Sequence, residues 1–132
     1  MRRIKVEVGS AAGNAELLDE VAPETAAAIW ERLPIATTLS HCKWSGRACW
    51  FEIDPLPGGA FGERVCSIYP GTLVAAPHGE VLIAYGAAEY RSDVGVQYAT
   101  RFARLEEGAQ PLLDALARMH DEGDMPVTLS RA

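Results

Sequence analysis

The sequence lacks any hydrophobic run long enough to cross a membrane. A membrane-spanning helix needs about 20 consecutive apolar residues, and no apolar run of the 132-residue chain approaches that length. Arg2 and Arg3 are followed at once by Lys5 and Glu7 in alternation with apolar residues, where a signal peptide would have a continuous apolar stretch. We therefore expect neither a membrane span nor secretion through a signal peptide.

The chain also has too few cysteines for a disulfide scaffold. Its three cysteines, Cys42, Cys49 and Cys66, cannot all pair within one chain, and a domain of this size does not need disulfides to fold. None of them forms the close Cys-x-x-Cys spacing of a structural zinc site. We expect reduced thiols, a cytoplasmic location, no metal and no cofactor.

Basic clusters are absent beyond the Arg2-Arg3 pair, and the formal net charge is −6. Binding to nucleic acid depends on the release of counterions by clustered Lys and Arg side chains. Nucleic acid is therefore not an expected partner, and the excess of acidic residues is explained by solubility.

The composition that is present is that of a folded domain. Hydrophobic residues make up 48% of the chain and charged residues 23%, which is the balance of an ordinary globular protein. A chain of 132 residues can enclose one hydrophobic core, whereas two domains would each be too small. We expect a single domain over residues 1–132.

Short β-strands account for most of the periodic pattern. Ile4, Val6 and Val8 alternate with charged residues, which predicts a strand with one buried face, followed by a turn over 9–13 and a returning strand over 15–18. A hairpin is predicted from strands 35–44 and 47–53 joined tightly at Ser45-Gly46. Further strands are predicted over 65–68, 73–76, 81–85, 98–105 and 127–129, with a loop over 54–59.

Two segments have the period of an amphipathic helix. Apolar residues spaced three and four apart predict helices over 23–33 and 109–121, the first with Pro23 in its opening turn and Pro34 after it. Many short strands with two helices among them favour a mostly β fold, namely a closed or nearly closed antiparallel barrel with two helices.

Several local motifs resemble those of cyclophilins. The order of elements is similar, Pro23-Glu24-Thr25-Ala26 resembles the opening of the first cyclophilin helix, and the segments 70–76 and 102–108 are similar to a Pro-Gly strand and to the lead into the second helix. Trp44-Ser45-Gly46 resembles the hairpin of small bacterial cyclophilin-like proteins of unknown function. The resemblance implies a cyclophilin-like barrel.

The residues that carry prolyl isomerase chemistry in cyclophilins are not matched. With the turn glycines aligned at Gly46, the family's catalytic Arg corresponds to Cys42 and its Gln to Trp50. Isomerisation needs a donor held against the proline nitrogen, and the resemblance supplies none. We assign no catalytic residues, and a divergent peptidyl-prolyl isomerase is kept as an alternative.

The hairpin and the neighbouring loop concentrate residue types that are common at binding sites. Alternation predicts that Trp50 and Phe51 lie on opposite faces of their strand, so that one of them leaves the barrel interior. The predicted function is noncatalytic binding of a small anionic or aromatic ligand, or of a short peptide, and a structural homodimer is the other alternative. The candidate ligand-binding residues are His41, Trp44, Arg47, Trp50, Tyr85 and Arg91.

Overall fold

The computed structural model describes residues 2–56 and 64–132. Two helices lie in this part of the chain, α1 (Pro23–Arg32) and α2 (Gln110–Glu122). The strands are β1 (Arg3–Val8), β2 (Ala11–Leu17), β3 (Ile35–His41), β4 (Gly46–Glu52), β5 (Arg64–Val65), β6 (Ser67–Ile68), β7 (Thr72–Ala76), β8 (Glu80–Glu89), β9 (Arg91–Ser92), β10 (Gly95–Val96), β11 (Ala99–Leu105) and β12 (Met125–Arg131).

Eight of these strands close into an antiparallel barrel. Their order is β2-β1-β12-β3-β4-β8-β7-β11, and β11 pairs with β2 to complete the ring. The short strands β5 and β6 extend the sheet by pairing with β11 and β8, whereas β9 and β10 form a separate hairpin. The predicted fold class, a closed antiparallel barrel with two helices, is confirmed.

The barrel interior and the helices share one hydrophobic core. Ile4, Val6 and Val8 are buried on β1, as their alternation predicts, and α1 and α2 add Ile29 and Leu116 to the same cluster. The predicted helix bounds are confirmed to within one residue. Neither helix in the described part of the chain has the length and apolar composition that a bilayer span requires.

The first hairpin differs from the prediction because its small residues belong to a strand. The turn occupies only Gly9 and Ser10, and β2 already begins at Ala11, so the predicted turn over 9–13 was too long. A Cβ atom at Gly13 would lie 3.1 Å from the Cβ of Ala109 and 3.2 Å from Cδ2 of Leu112. Small residues are therefore needed here for α2 to pack on the barrel.

The connection between β3 and β4 is also longer than predicted. It spans residues 42–45, and Gly46 is the first residue of β4, with a φ of +91°. The Ser45 carbonyl accepts a hydrogen bond from the Glu89 N–H at 2.9 Å. Ser45 thus pairs with the last residue of β8 and not within a tight β3–β4 turn.

Tertiary pairing also changes the other strand bounds. Strand β8 continues to Glu89, and residues 91–96 form the β9–β10 hairpin, whereas residues 90–93 were predicted as a polar loop. The strand predicted over 65–68 is two short strands because β5 pairs with β11 and β6 with β8. Of the loop predicted over 54–59, residues 54–56 lie outside any helix or strand, and residues 57–59 lie outside the described part of the chain.

A second, smaller core covers the outer face of the barrel. It contains outward residues of β4, β7, β8 and β11, covered by Ile68 of β6 and by Tyr90. Phe51 belongs to the interior core, whereas Trp50 packs against this outer cluster. The predicted division of Trp50 and Phe51 between two faces is confirmed, with Phe51 inside.

Candidate functional site

A groove of about 540 Å³ lies on the outer face of the barrel beside the second core. It runs between the β3–β4 connection and the β9–β10 hairpin, with β4 and the start of β8 beneath it. Its lining residues are Ser40, His41, Cys42, Lys43, Trp44, Ser45, Trp50, Glu80, Arg91, Ser92, Asp93 and Asp124.

Four of the six predicted site residues line this groove. Trp50 and His41 are half-buried and belong to its floor, whereas Trp44 and Arg91 are exposed and belong to its rim. The two that lie elsewhere are Arg47 and Tyr85. The structure therefore brings together most of the candidate set, and its role in binding stays a prediction.

A bulge in β8 explains why Arg47 and Tyr85 lie outside the groove. Between the pairs Gly46↔Ala88 and Ala48↔Ala84, the single residue Arg47 faces three residues of β8. The Arg47 side chain lies over Gly86, where an added Cβ would come within 2.6 Å of the Arg47 Cδ atom. Tyr85 instead packs against the interior core. Simple alternation along the strands does not predict either position.

His41 connects the groove to Tyr85 and to α2. Its Nδ1 atom lies 2.8 Å from the Cys42 carbonyl oxygen, to which it donates, and its Nε2 atom lies 2.7 Å from the Tyr85 hydroxyl. In this tautomer Nε2 accepts the hydroxyl hydrogen of Tyr85. The ring also meets the His120 ring edge-on, with centroids 5.2 Å apart. Both nitrogens are thus engaged within the protein.

The thiol nearest the groove floor is not activated. Burial raises the pKa of Cys42 to about 12, and the nearby negative charge of Glu80 contributes to the rise. The thiolate is the nucleophilic form of cysteine, and a pKa raised in this way keeps Cys42 in the thiol form at neutral pH. Among the described residues, no group of three or more His, Cys, Asp or Glu side chains is placed to hold a metal ion.

Ser45 fastens the two hairpins that form the groove. It is only 4% exposed, and its Oγ atom accepts a hydrogen bond from the Arg91 N–H at 3.1 Å and donates one to the Arg91 carbonyl at 3.2 Å. The hydroxyl thus uses both its donor and its acceptor capacity. This contact joins the β9–β10 hairpin to the β3–β4 connection.

Charges of both signs line the groove. Lys43 and Arg91 are cationic, and Arg91 donates from Nη1 to Glu89 at 2.6 Å. The acidic lining residues are Glu80, Asp93 and Asp124. Sequence reasoning missed Glu80, although its position directly after the turn at Pro77-His78-Gly79 and at the start of a strand was a signal for a side chain at the barrel edge.

A family model described as "Protein of unknown function (DUF3830)" matches residues 4–131, almost the whole chain. The chain belongs to the DUF3830 family. No curated protein matches this DUF3830 chain.

Two solved structures have the same fold. A structure of McbB in complex with tryptophan is 19% identical, with a TM-score of 0.78, and the alignment covers 97% of the DUF3830 chain but 44% of McbB. The solution structure of the hypothetical protein AF2241 from Archaeoglobus fulgidus is also 19% identical, with a TM-score of 0.68 over 99% of this chain and 95% of AF2241. The DUF3830 chain thus spans less than half the length of McbB, and identities this low show the fold alone.

Proposed function

We propose that this DUF3830 chain is a noncatalytic binding domain that holds a small aromatic ligand in the groove. The observation that carries the proposal is the presence of Trp44 and Trp50 on one cavity of about 540 Å³. Ligand pockets of roughly 300 to 1,000 Å³, with aromatic walls and a few polar groups, are typical of small-molecule sites. Trp50 is half-buried in the floor, and Trp44 is 57% exposed at the rim.

Two groove residues that could carry acid–base or nucleophilic chemistry, His41 and Cys42, favour binding over catalysis. A general base must reach its substrate with a free nitrogen or oxygen, but both His41 nitrogens are already hydrogen-bonded within the protein. A cysteine nucleophile needs a lowered pKa, whereas the pKa of Cys42 is raised.

Fold likeness gives further support. McbB, whose fold is similar, is seen in complex with tryptophan, and we infer by analogy that an aromatic ligand suits this chain too. We also propose that the barrel is cyclophilin-like, because helices follow the second strand and precede the last one, as in the resemblance. Cys42 and Trp50 stand where that resemblance expects the catalytic Arg and Gln, which supports a function other than isomerisation. The free state of Cys42, Cys49 and Cys66 supports a cytoplasmic location.

Ligand-induced thermal stabilisation tests the proposal. Indole compounds, including tryptophan, should raise the Tm of the wild-type protein by mass action. Trp50→Ala and Trp44→Ala should lose this rise, whereas Tyr69→Ala should keep it, because Tyr69 is also an exposed aromatic residue (71%) but does not line the groove. Equal stabilisation of all three variants, or of none including the wild type, would contradict the proposal.

Two further readouts separate the alternatives. If Trp50 is only a packing residue, Trp50→Ala should cost about 3 to 5 kcal/mol of the free energy of unfolding, whereas a ligand-contacting Trp50 should cost far less. If the groove is instead the contact of a homodimer, Trp44→Ala should change the mass measured by light scattering, and ligand binding should be absent from the wild type.

A further inference from the structure

The floor of the groove contains a carboxylate beside its aromatic wall. Glu80 is the first residue of β8, is half-buried, and lines the same cavity as Trp50. Its Oε2 atom lies 3.2 Å from the Nε2 atom of His78, a side chain that is itself 59% exposed. The Tyr90 hydroxyl also hydrogen-bonds to this carboxylate. Because a carboxylate has about four acceptor sites, Glu80 keeps acceptor capacity for a ligand that enters the groove.

The negative charge of Glu80 acts on the groups that surround the floor. It contributes, after burial, to the raised pKa of the Cys42 thiol and to the raised pKa of the Tyr90 hydroxyl. Cys42 lines the groove, and Tyr90 lies in the core beneath it. Burial is the largest cause of both shifts and the charge of Glu80 is the next, so Glu80 is the carboxylate that acts on the groove floor.

The cationic side chains lie higher, at the rim. Lys43 belongs to the β3–β4 connection and Arg91 to the β9–β10 hairpin, and both are exposed. A guanidinium has five N–H donors in a planar fork, and the bond to Glu89 uses Nη1 alone. Arg91 can therefore donate to a carboxylate while it keeps its bond to Glu89.

We propose, on the basis of the binding function above, that the groove recognises an aromatic amino acid in its zwitterionic form. Glu80 accepts hydrogen bonds from the α-ammonium group at the floor, and Arg91 donates hydrogen bonds to the α-carboxylate at the rim. Trp50 contacts the aromatic ring. A ligand with only negative charge would place that charge against Glu80, and this disfavours the purely anionic ligand that the sequence also allowed.

Calorimetric titration of the wild-type protein with three related compounds tests this ligand class. Tryptophan carries both charges, indole-3-propionate lacks the ammonium group, and tryptophanamide lacks the carboxylate. At about pH 6.5, where an α-amino group is protonated, tryptophan should bind at least about tenfold more tightly than either analogue, because a hydrogen bond between charged groups is lost in each.

The ranking distinguishes failure of the ligand class from failure of the binding function. If indole-3-propionate binds as tightly as tryptophan, the role of Glu80 is overturned while the groove remains a binding site. If tryptophanamide binds as tightly, the ligand is an aromatic peptide N-terminus and the role of Arg91 is overturned. If none of the three compounds binds, both proposals fall.

A matched pair of variants tests Glu80 directly. Glu80→Gln should weaken tryptophan binding by about tenfold or more and leave indole-3-propionate binding unchanged or tighter. Glu52→Gln is the control, because Glu52 pairs with Glu80 across the β4–β8 ladder, has an exposed side chain and does not line the groove. Equal weakening of both ligands by Glu80→Gln would overturn the assignment, and the wild-type ranking decides the question if that variant does not fold.

Discussion

Removal of the Ser45 hydroxyl should release the β9–β10 hairpin from the rest of the groove. In Ser45→Ala, the Arg91 N–H and carbonyl lose the partner that now lies 3.1 and 3.2 Å away. Each neutral hydrogen bond contributes about 0.5 to 1.5 kcal/mol net, so the two together are worth about 1 to 3 kcal/mol. An isolated two-stranded hairpin is marginally stable at best. We therefore expect the loss of these two hydrogen bonds to appear as local opening of the β9–β10 hairpin.

Amide hydrogen exchange measures this local opening. The exchange of the Arg91 and Gln97 amides should become about five- to 150-fold faster in Ser45→Ala, which is the energy above expressed as an opening equilibrium. The Gln97 N–H is informative because it donates to the Tyr90 carbonyl at 2.8 Å within the hairpin. The exchange rate of the Ile83 amide, in the middle of β8, should be unchanged.

The control is Ser130→Ala, which removes the hydroxyl of a half-buried serine on β12. It should leave the exchange of the hairpin amides at the wild-type rate. Wild-type exchange at Arg91 and Gln97 in Ser45→Ala would refute the reasoning, because the hairpin would then be held by other contacts. Ligand affinity should fall in Ser45→Ala together with hairpin protection.

Four further predictions concern the rest of the molecule. Gly13→Val should destabilise the protein by about 1 to 3 kcal/mol through a clash with Ala109, directly before α2, and with Leu112 on α2. Urea denaturation that shows no difference from the exposed Ala12→Val would contradict this. Since the pKa of Cys42 is about 12, its alkylation by iodoacetamide should be slow at pH 7.5 and accelerate steadily with pH; rapid labelling at pH 7.5 would contradict it. Hydrogen bonds from Arg3 lower the pKa of Glu106, so they stabilise the folded protein above the ordinary pKa of 4.5 and cease to do so as the pH falls through the lowered pKa. The Tm difference between wild type and Glu106→Gln should therefore shrink as the pH falls over that range. A constant difference would argue against a stabilising Arg3–Glu106 pair. A proline-peptide assay should show no acceleration over the uncatalysed exchange of tens of seconds, and a clear rate enhancement would revive the isomerase alternative.

The local pattern of the sequence predicted both helices and the buried face of the first strand. Alternation at Ile4, Val6 and Val8 predicts the buried face of β1, and the spacing of apolar residues predicts both helices to within one residue. The opposite orientation of Trp50 and Phe51 follows from the same rule. These features depend on a period of two or 3.6 residues, which neighbouring residues carry by themselves.

The composition of the groove was predicted in part. Trp44, Trp50, His41 and Arg91 line it because they lie on a hairpin and a loop that pack side by side. Ser45 joins the two segments by its hydrogen bonds to Arg91, and no local pattern predicts this contact because Arg91 is 46 residues away along the chain. The sequence predicted the residue types at the site but not the contact that holds them together.

Only the tertiary structure decided where Arg47, Tyr85 and Glu80 lie. The bulge that sets three residues of β8 against Arg47 removes Arg47 and Tyr85 from the groove, and the pairing of β8 with β4 brings Glu80 to its floor. The register between two strands is a balance of packing and hydrogen bonding across the whole pair. No periodicity within either strand contains that information, because it arises only when residues about 30 to 40 positions apart meet.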